Sequence, residues 1–117
     1  MAVEQATIFK TPTAEDPALA EVVRLLVNAY QPERIYLFGS VARGDADADS
    51  DYDLLVVVPD DAALERRQSR LAYEALRGTP TDVDVLVRTR SYFEDRRLLK
   101  ASLPGTVLRE GRLLHGA

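Results

Sequence analysis

Five aspartates stand at every second position from Asp45 to Asp53 in the stretch FGSVARGDADADSDYDLLVVV, residues 38–58, and the last of them leads straight into an apolar run. Asp45, Asp47 and Asp49 match the first three acidic positions of a calcium-binding helix-loop-helix. The sixth position would then be Ser50, where the sharp turn wants Gly, and the twelfth would be Val56, where a bidentate Glu is needed, so a calcium loop is excluded. These three acids alternate with Ala next to Gly44 and read as the solvated charge of a loop. Asp51 and Asp53 differ. At the entry to a strand, a period of two sends both carboxylates to one face and Tyr52 to the other. Two like charges so close are costly unless a cation lies between them.

A third acid completes the arrangement. Asp84 sits between Val83 and Val85 in a second apolar run, where a carboxylate needs a partner or a metal. If the two runs pair as strands, Asp84 approaches Asp51 and Asp53 from the side. Three carboxylates on neighbouring strands suit a two-metal phosphoryl-transfer site, because Mg²⁺ takes a few carboxylates together with phosphate oxygens. Asp82 competes for the third place; Asp84 is preferred as the one more enclosed by apolar residues. Gly39 and Ser40 close an aromatic strand and open a short helical turn. They serve either as an ordinary turn with a cap or as a phosphate cradle, in which Gly lets the backbone approach and Ser donates. Arg43, one helical turn beyond Ser40, either reaches a triphosphate or locks the acidic loop.

The elements that must hold these residues form an α/β pattern. Asp16 and Pro17, followed by Leu19, Val22, Val23, Leu26 and Tyr30, predict a capped helix over 17–30. Strands are expected at 34–38, 53–58 and 81–87, the last by its alternation. A polar helix is expected at 61–77, with Leu64, Leu71, Ala75 and Leu76 on one face and Gly78 as its stop. Ser91 and Glu94 have the form of a capping box for a helix at 92–102. After the break at 103–105, a helical turn ends at Gly111 and a short strand runs over 112–115. The result is a small mixed sheet of three or four strands flanked by helices, with a connection of about 14 residues between the first two strands, room for one helical turn from Ser40.

Composition narrows the chemistry further. At 117 residues, 46% of them hydrophobic and 29% charged, the chain is expected to form one domain spanning 1–117. There is no cysteine and a single histidine, His115, so thiolate and histidine-rich metal sites are excluded and any metal is a hard ion held by oxygen. The net charge of −4 argues against tight duplex DNA binding. No apolar run is long enough to span a membrane and the first residues lack a secretory pattern, so a cytoplasmic location is expected. A homo-oligomer is compatible with all of this.

Together, Gly39, Ser40, Ala42, Arg43, Gly44, Ser50, Asp51, Asp53 and Leu54 match every fixed position of the G-S-x-A-R-G-x(5)-S-D-x-D-L signature. The chain thus resembles the minimal nucleotidyltransferases of the DNA polymerase β-like superfamily, and the order of its elements and its LREGRLLH ending resemble them too. The resemblance implies a palm-like nucleotidyltransferase fold and Mg²⁺-dependent transfer of a nucleoside monophosphate, usually AMP from ATP, to a hydroxyl. It implies two Mg²⁺ ions, with Mn²⁺ as a substitute, held by Asp51, Asp53 and Asp84, and nucleotide contacts from Gly39, Ser40, Arg43 and Ser50. It also implies an antitoxin paired with a HEPN-domain toxin. A domain of this size has little left to wrap an acceptor, which is therefore expected to be a separate protein. Two other readings stay open: a catalytically weak module that neutralises a HEPN partner by occlusion, and a transferase acting on a small molecule.

Overall fold

A computed structural model describes residues 16–44 and 51–116. Asp45, Asp47, Asp49 and Ser50 lie outside the described residues, as does the N-terminal stretch read above for a secretory pattern. The described elements are α1 (Pro17–Tyr30), β1 (Arg34–Phe38), α2 (Gly39–Arg43), β2 (Tyr52–Val58), a 3-10 turn (Leu64–Arg67), α3 (Arg70–Ala75), β3 (Val83–Thr89), α4 (Arg90–Arg96), α5 (Leu103–Glu110) and β4 (Arg112–His115). The strands make one mixed sheet in the order β3-β2-β1-β4. β1 runs antiparallel to both β2 and β4, and β2 runs parallel to β3. No helix among the described residues is long and apolar enough to cross a membrane.

Helix α1 forms as its sequence dictates. The Asp16 carboxylate accepts from the Ala18 and Leu19 N–H groups at 3.1 and 3.2 Å, satisfying donors that the first turn leaves without partners. The apolar stripe from Leu19 to Tyr30 is buried against Ile35, Leu37, Leu54, Val56 and Val58 on one face of the sheet, together with Val85, Val87 and Ala72. The other face is covered by a smaller cluster of Tyr36, Leu55, Val57, Phe93 and Val107, in which the Tyr36 and Phe93 rings stack with centroids 5.4 Å apart. Because β2 is central and covered on both faces, Leu54 to Val58 are all buried, which explains their unbroken apolar run. Alternation then puts Asp53 on the thinly covered face, with Leu55 and Val57.

Four expectations are corrected. The helix expected over 61–77 is broken. Gln68 is extended (φ −119°, ψ 144°), and its carbonyl accepts from the Tyr30 hydroxyl at 2.6 Å instead of continuing a helix. Leu64 is 64% exposed as a result, and Ala72 takes the buried place. Burial of that phenol pushes its pKa up to about 12. The third strand begins at Val83 and ends at Thr89, two residues later at each end than its alternation suggests. The 92–102 helix spans only Arg90–Arg96, and its cap is Thr89, whose hydroxyl accepts from the Tyr92 N–H at 3.3 Å. The LPG segment is no break: Ser102 caps α5, and Pro104 lies in its first turn.

Ser91, freed from capping, donates both its N–H (2.8 Å) and its hydroxyl to Asp60 in the loop after β2. These two bonds, the hydroxyl first, hold the Asp60 carboxyl below its ordinary pKa. A lowered pKa means that Asp60 stabilises the fold above the unfolded-state value of about 3.9, and that this contribution is lost as pH falls through the folded value. Asp60→Ala is therefore expected to lower Tm at pH 7, and the gap from wild type to close in acid. Melting curves across that range check it.

Candidate active site

The end of β1 sets the site. Gly39 follows Phe38 with φ +77°, a conformation that favours glycine, and turns the chain directly into α2. A Cβ at this position would lie 3.1 Å from Asp53 Cγ and collide with Oδ2, so the absent side chain is what lets the turn close onto the Asp53 carboxylate. Ser40 and Arg43 follow within α2. Phe38 provides no side-chain cap, so no such bond occupies the first-turn N–H groups of α2. Gly44 ends the helix at φ +86°.

Asp53 is opposite Phe38 in the antiparallel ladder and opposite Asp84 in the parallel one. Side chains opposite each other on adjacent strands share a face, so the two carboxylates emerge side by side. Asp53 is half-buried, and its pKa is raised first by that burial, then by the charges of Asp84 and Asp51, against a smaller lowering by Arg43. Asp51 is exposed just before β2. Arg43 also pairs with Glu110 of α5 at 3.7 Å.

Asp84 is exposed, so apolar enclosure does not distinguish it from Asp82. Register does. Asp82 precedes β3 and offers its carbonyl to the Tyr52 N–H at 3.2 Å, whereas Asp84 is the residue aligned with Asp53. A cavity of about 310 Å³ opens beside the pair, lined by Phe38, Asp53, Ser69, Tyr73, Asp84, Val85 and Leu86. Ser69 and Tyr73 were not apparent as site residues in the sequence. The available signal was Tyr73 itself, an aromatic lying off the apolar stripe of the expected helix and 59% exposed in the fold.

The donor chemistry fits a hard cation: the acids offer only oxygen ligands, and burial together with repulsion at Asp53 is what a cation would offset. As the side chains stand, no group of three or more His, Cys, Asp or Glu among the described residues is gathered as a metal cage. Binding would have to draw the exposed Asp51 and Asp84 in towards Asp53. The same repulsion gives a sign test. A raised carboxyl pKa means that the metal-free fold gains stability as pH falls through it and is weakest above it. In EDTA at pH 7, Asp84→Asn is therefore expected to melt at or above the wild-type temperature, and to gain less on addition of Mg²⁺. A lower Tm in EDTA would assign Asp84 a structural role instead.

A mixed sheet that aligns two carboxylates on adjacent strands, beside a glycine that turns directly into a short helix, defines the class of palm-like nucleotidyltransferases. The chain belongs to the nucleotidyltransferase domain family, whose model matches residues 19–114, and within the polymerase β-like superfamily it is a minimal nucleotidyltransferase. Among solved structures, it is similar to a candidate minimal nucleotidyltransferase at 30% identity and a TM-score of 0.52, covering 81% of this chain and 90% of that one. It is similar to a chain of a toxin–antitoxin crystal structure with AMP-PNP at 27% identity and a TM-score of 0.55, covering 83% and 73%. It shares its fold with a chain in the complex of tri-AMPylated Shewanella oneidensis HEPN toxin with MNT antitoxin, at 23% identity and a TM-score of 0.54, covering 86% and 71%. No curated protein matches the chain.

Proposed function

We propose that this chain is a cytoplasmic adenylyltransferase that moves AMP from ATP to a hydroxyl of a HEPN-type partner protein, acting as the antitoxin of the pair. The alignment of Asp53 with Asp84 beside Gly39 carries the reading. The toxin–antitoxin structure with AMP-PNP supports a nucleotide and a protein partner, and the resemblance to the minimal nucleotidyltransferases that the signature carries supports a HEPN partner. Gly39 keeps the turn clear for phosphate oxygens, and Ser40, Ser50 and Arg43 hold the triphosphate. Asp84 faces the cavity from which the acceptor hydroxyl attacks the α-phosphorus, and pyrophosphate leaves on the opposite side. Mg²⁺ or Mn²⁺ held by Asp51, Asp53 and Asp84 would supply charge neutralisation at the phosphates and a lowered pKa at the acceptor hydroxyl.

A second reading, neutralisation of the partner by occlusion without catalysis, is supported by the toxin–antitoxin structure that the chain resembles. Incubation with ATP, Mg²⁺ and a HEPN protein encoded beside this chain separates the two. An added AMP on a partner hydroxyl, found by mass spectrometry, is the expected result. Inhibition of the toxin without a mass gain would establish occlusion, and neither outcome would end both readings.

A further inference from the structure

The cavity beside Asp53 and Asp84 is closed on one side by α3 and the residue that caps it. Ser69 and Tyr73 both line it, and they stand one helical turn apart: the Tyr73 N–H donates to the Ser69 carbonyl at 3.4 Å. Residues at i and i+4 share a helix face, so both side chains meet the cavity together. Tyr73 is 59% exposed, the one exposed aromatic among the described residues. Ser69 occupies the cap position of α3, yet its hydroxyl makes no capping bond and stays available to the cavity. A lone exposed aromatic is ordinary on a surface. This one borders the same space as two carboxylates of the site.

The wall is held from the core. The buried Tyr30 hydroxyl donates to the Gln68 carbonyl at 2.6 Å, immediately before Ser69. Ala72, immediately before Tyr73, is fully buried in the cluster that holds Val85 and Val87 of β3. Each lining residue therefore follows an anchored neighbour, which fixes where Ser69 and Tyr73 stand relative to Asp84 on the same strand. Phe38 and Leu86 add apolar surface, so the polar groups of the cavity are the two carboxylates, the Ser69 hydroxyl and the tip of Tyr73.

We propose that Tyr73 and Ser69 seat the side chain that carries the acceptor hydroxyl, Tyr73 through its ring and Ser69 through its hydroxyl. The inference rests on the transferase reading above and adds which residues of this chain select the acceptor. In-line displacement puts the attacking oxygen and the leaving pyrophosphate on opposite sides of the α-phosphorus. Across the sheet, Asp53 stands between Phe38, which leads into Gly39, and Asp84 on the edge strand β3. With the outer phosphates at Gly39 and Ser40, pyrophosphate departs on the β1 side. The acceptor then enters from the β3 side, where Ser69 and Tyr73 stand. Gly39, Ser40 and Arg43 take no part in lining the cavity, which is therefore distinct from the phosphate cradle. Size agrees with this division. About 310 Å³ lies at the lower end of ligand sites, suited to one large side chain rather than to a whole nucleoside triphosphate.

The test uses the full chain with ATP, Mg²⁺ and a HEPN protein encoded beside it. Tyr73→Ala is expected to lower kcat/KM for that partner by about tenfold or more, the scale of a lost aromatic contact. Its affinity for ATP with Mg²⁺ and its Tm should match wild type, since Tyr73 is exposed and lies outside the phosphate cradle. Tyr73→Phe keeps the ring and should stay close to wild type. Ser69→Ala should lower the same ratio by about fivefold, the scale of one hydrogen bond. A Tyr73→Ala enzyme with wild-type kcat/KM for the partner would overturn the proposal and leave the transferase reading intact. A Tyr73→Phe enzyme as impaired as Tyr73→Ala would overturn the role of the ring. Affinity for ATP falling along with the partner ratio would give the wall to the nucleobase and overturn the proposal equally. Should Tyr73→Ala melt early, Tyr73→Gln, also without a ring, decides in its place. Absence of transfer by the wild type would remove the transferase reading itself, before any variant is compared.

Discussion

Asp53→Asn is expected to lower AMP transfer by about 10³-fold or more. The substitution keeps the shape of the side chain and removes the charge at the centre of the site, where Asp53 stands between Phe38 and Asp84. Loss of a carboxylate that would hold the cations neutralising a phosphoryl-transfer transition state costs several kcal/mol, at about 1.4 kcal/mol for each tenfold in rate. Asp45→Asn, Asp47→Asn and Asp49→Asn are expected to stay within about tenfold of wild type, the scale of solvated surface charge. Fold stability should run the other way. Because burial and the charges of Asp84 and Asp51 all raise the Asp53 pKa, Asp53→Asn in EDTA at neutral pH should melt no lower than wild type. Single-turnover transfer rates beside melting curves check both halves, and an Asp47→Asn defect as deep as that of Asp53→Asn would undo the division of the five acids.

What the sequence shows of this site depends on whether the interactions are local. Helix α1 is legible in full, because Asp16, Pro17 and the apolar stripe to Tyr30 all act within one element. β1 and β2 are legible within a residue, since their apolar runs are bounded by Gly39 and Pro59. The interrupted α3 is not, because the bond that takes the Gln68 carbonyl comes from Tyr30, 38 residues away. The Ser91 cap fails for the same reason: Asp60, 31 residues distant, takes the role that a local capping box would have filled. Asp84 is exposed rather than enclosed, and what aligns it with Asp53 is a parallel pairing that no local pattern encodes. Ser69 and Tyr73, which line the cavity, follow the extended Gln68 that ends the 3-10 turn, a break that no local pattern encodes.

Gly39→Ala is expected to damage activity far more than stability, and Gly44→Ala tells why. Both glycines have positive φ, +77° and +86°, where an alanine is strained by about 1–3 kcal/mol. At Gly44 an added Cβ meets nothing within 4 Å among the described residues, so Gly44→Ala carries the backbone strain alone. At Gly39 the Cβ meets the Asp53 carboxylate as well. The Asp53 backbone is held by ladders on both sides, so relief comes from swinging its side chain away from the turn and from Asp84. A misplacement of about 1 Å at a reacting group costs on the order of 10²-fold in rate. Both variants should therefore show similar drops in Tm, while only Gly39→Ala loses transfer by about 10²-fold or more. Equal activity losses in the two would mean that strain in α2, rather than the fit of Gly39 against Asp53, sets the requirement for glycine.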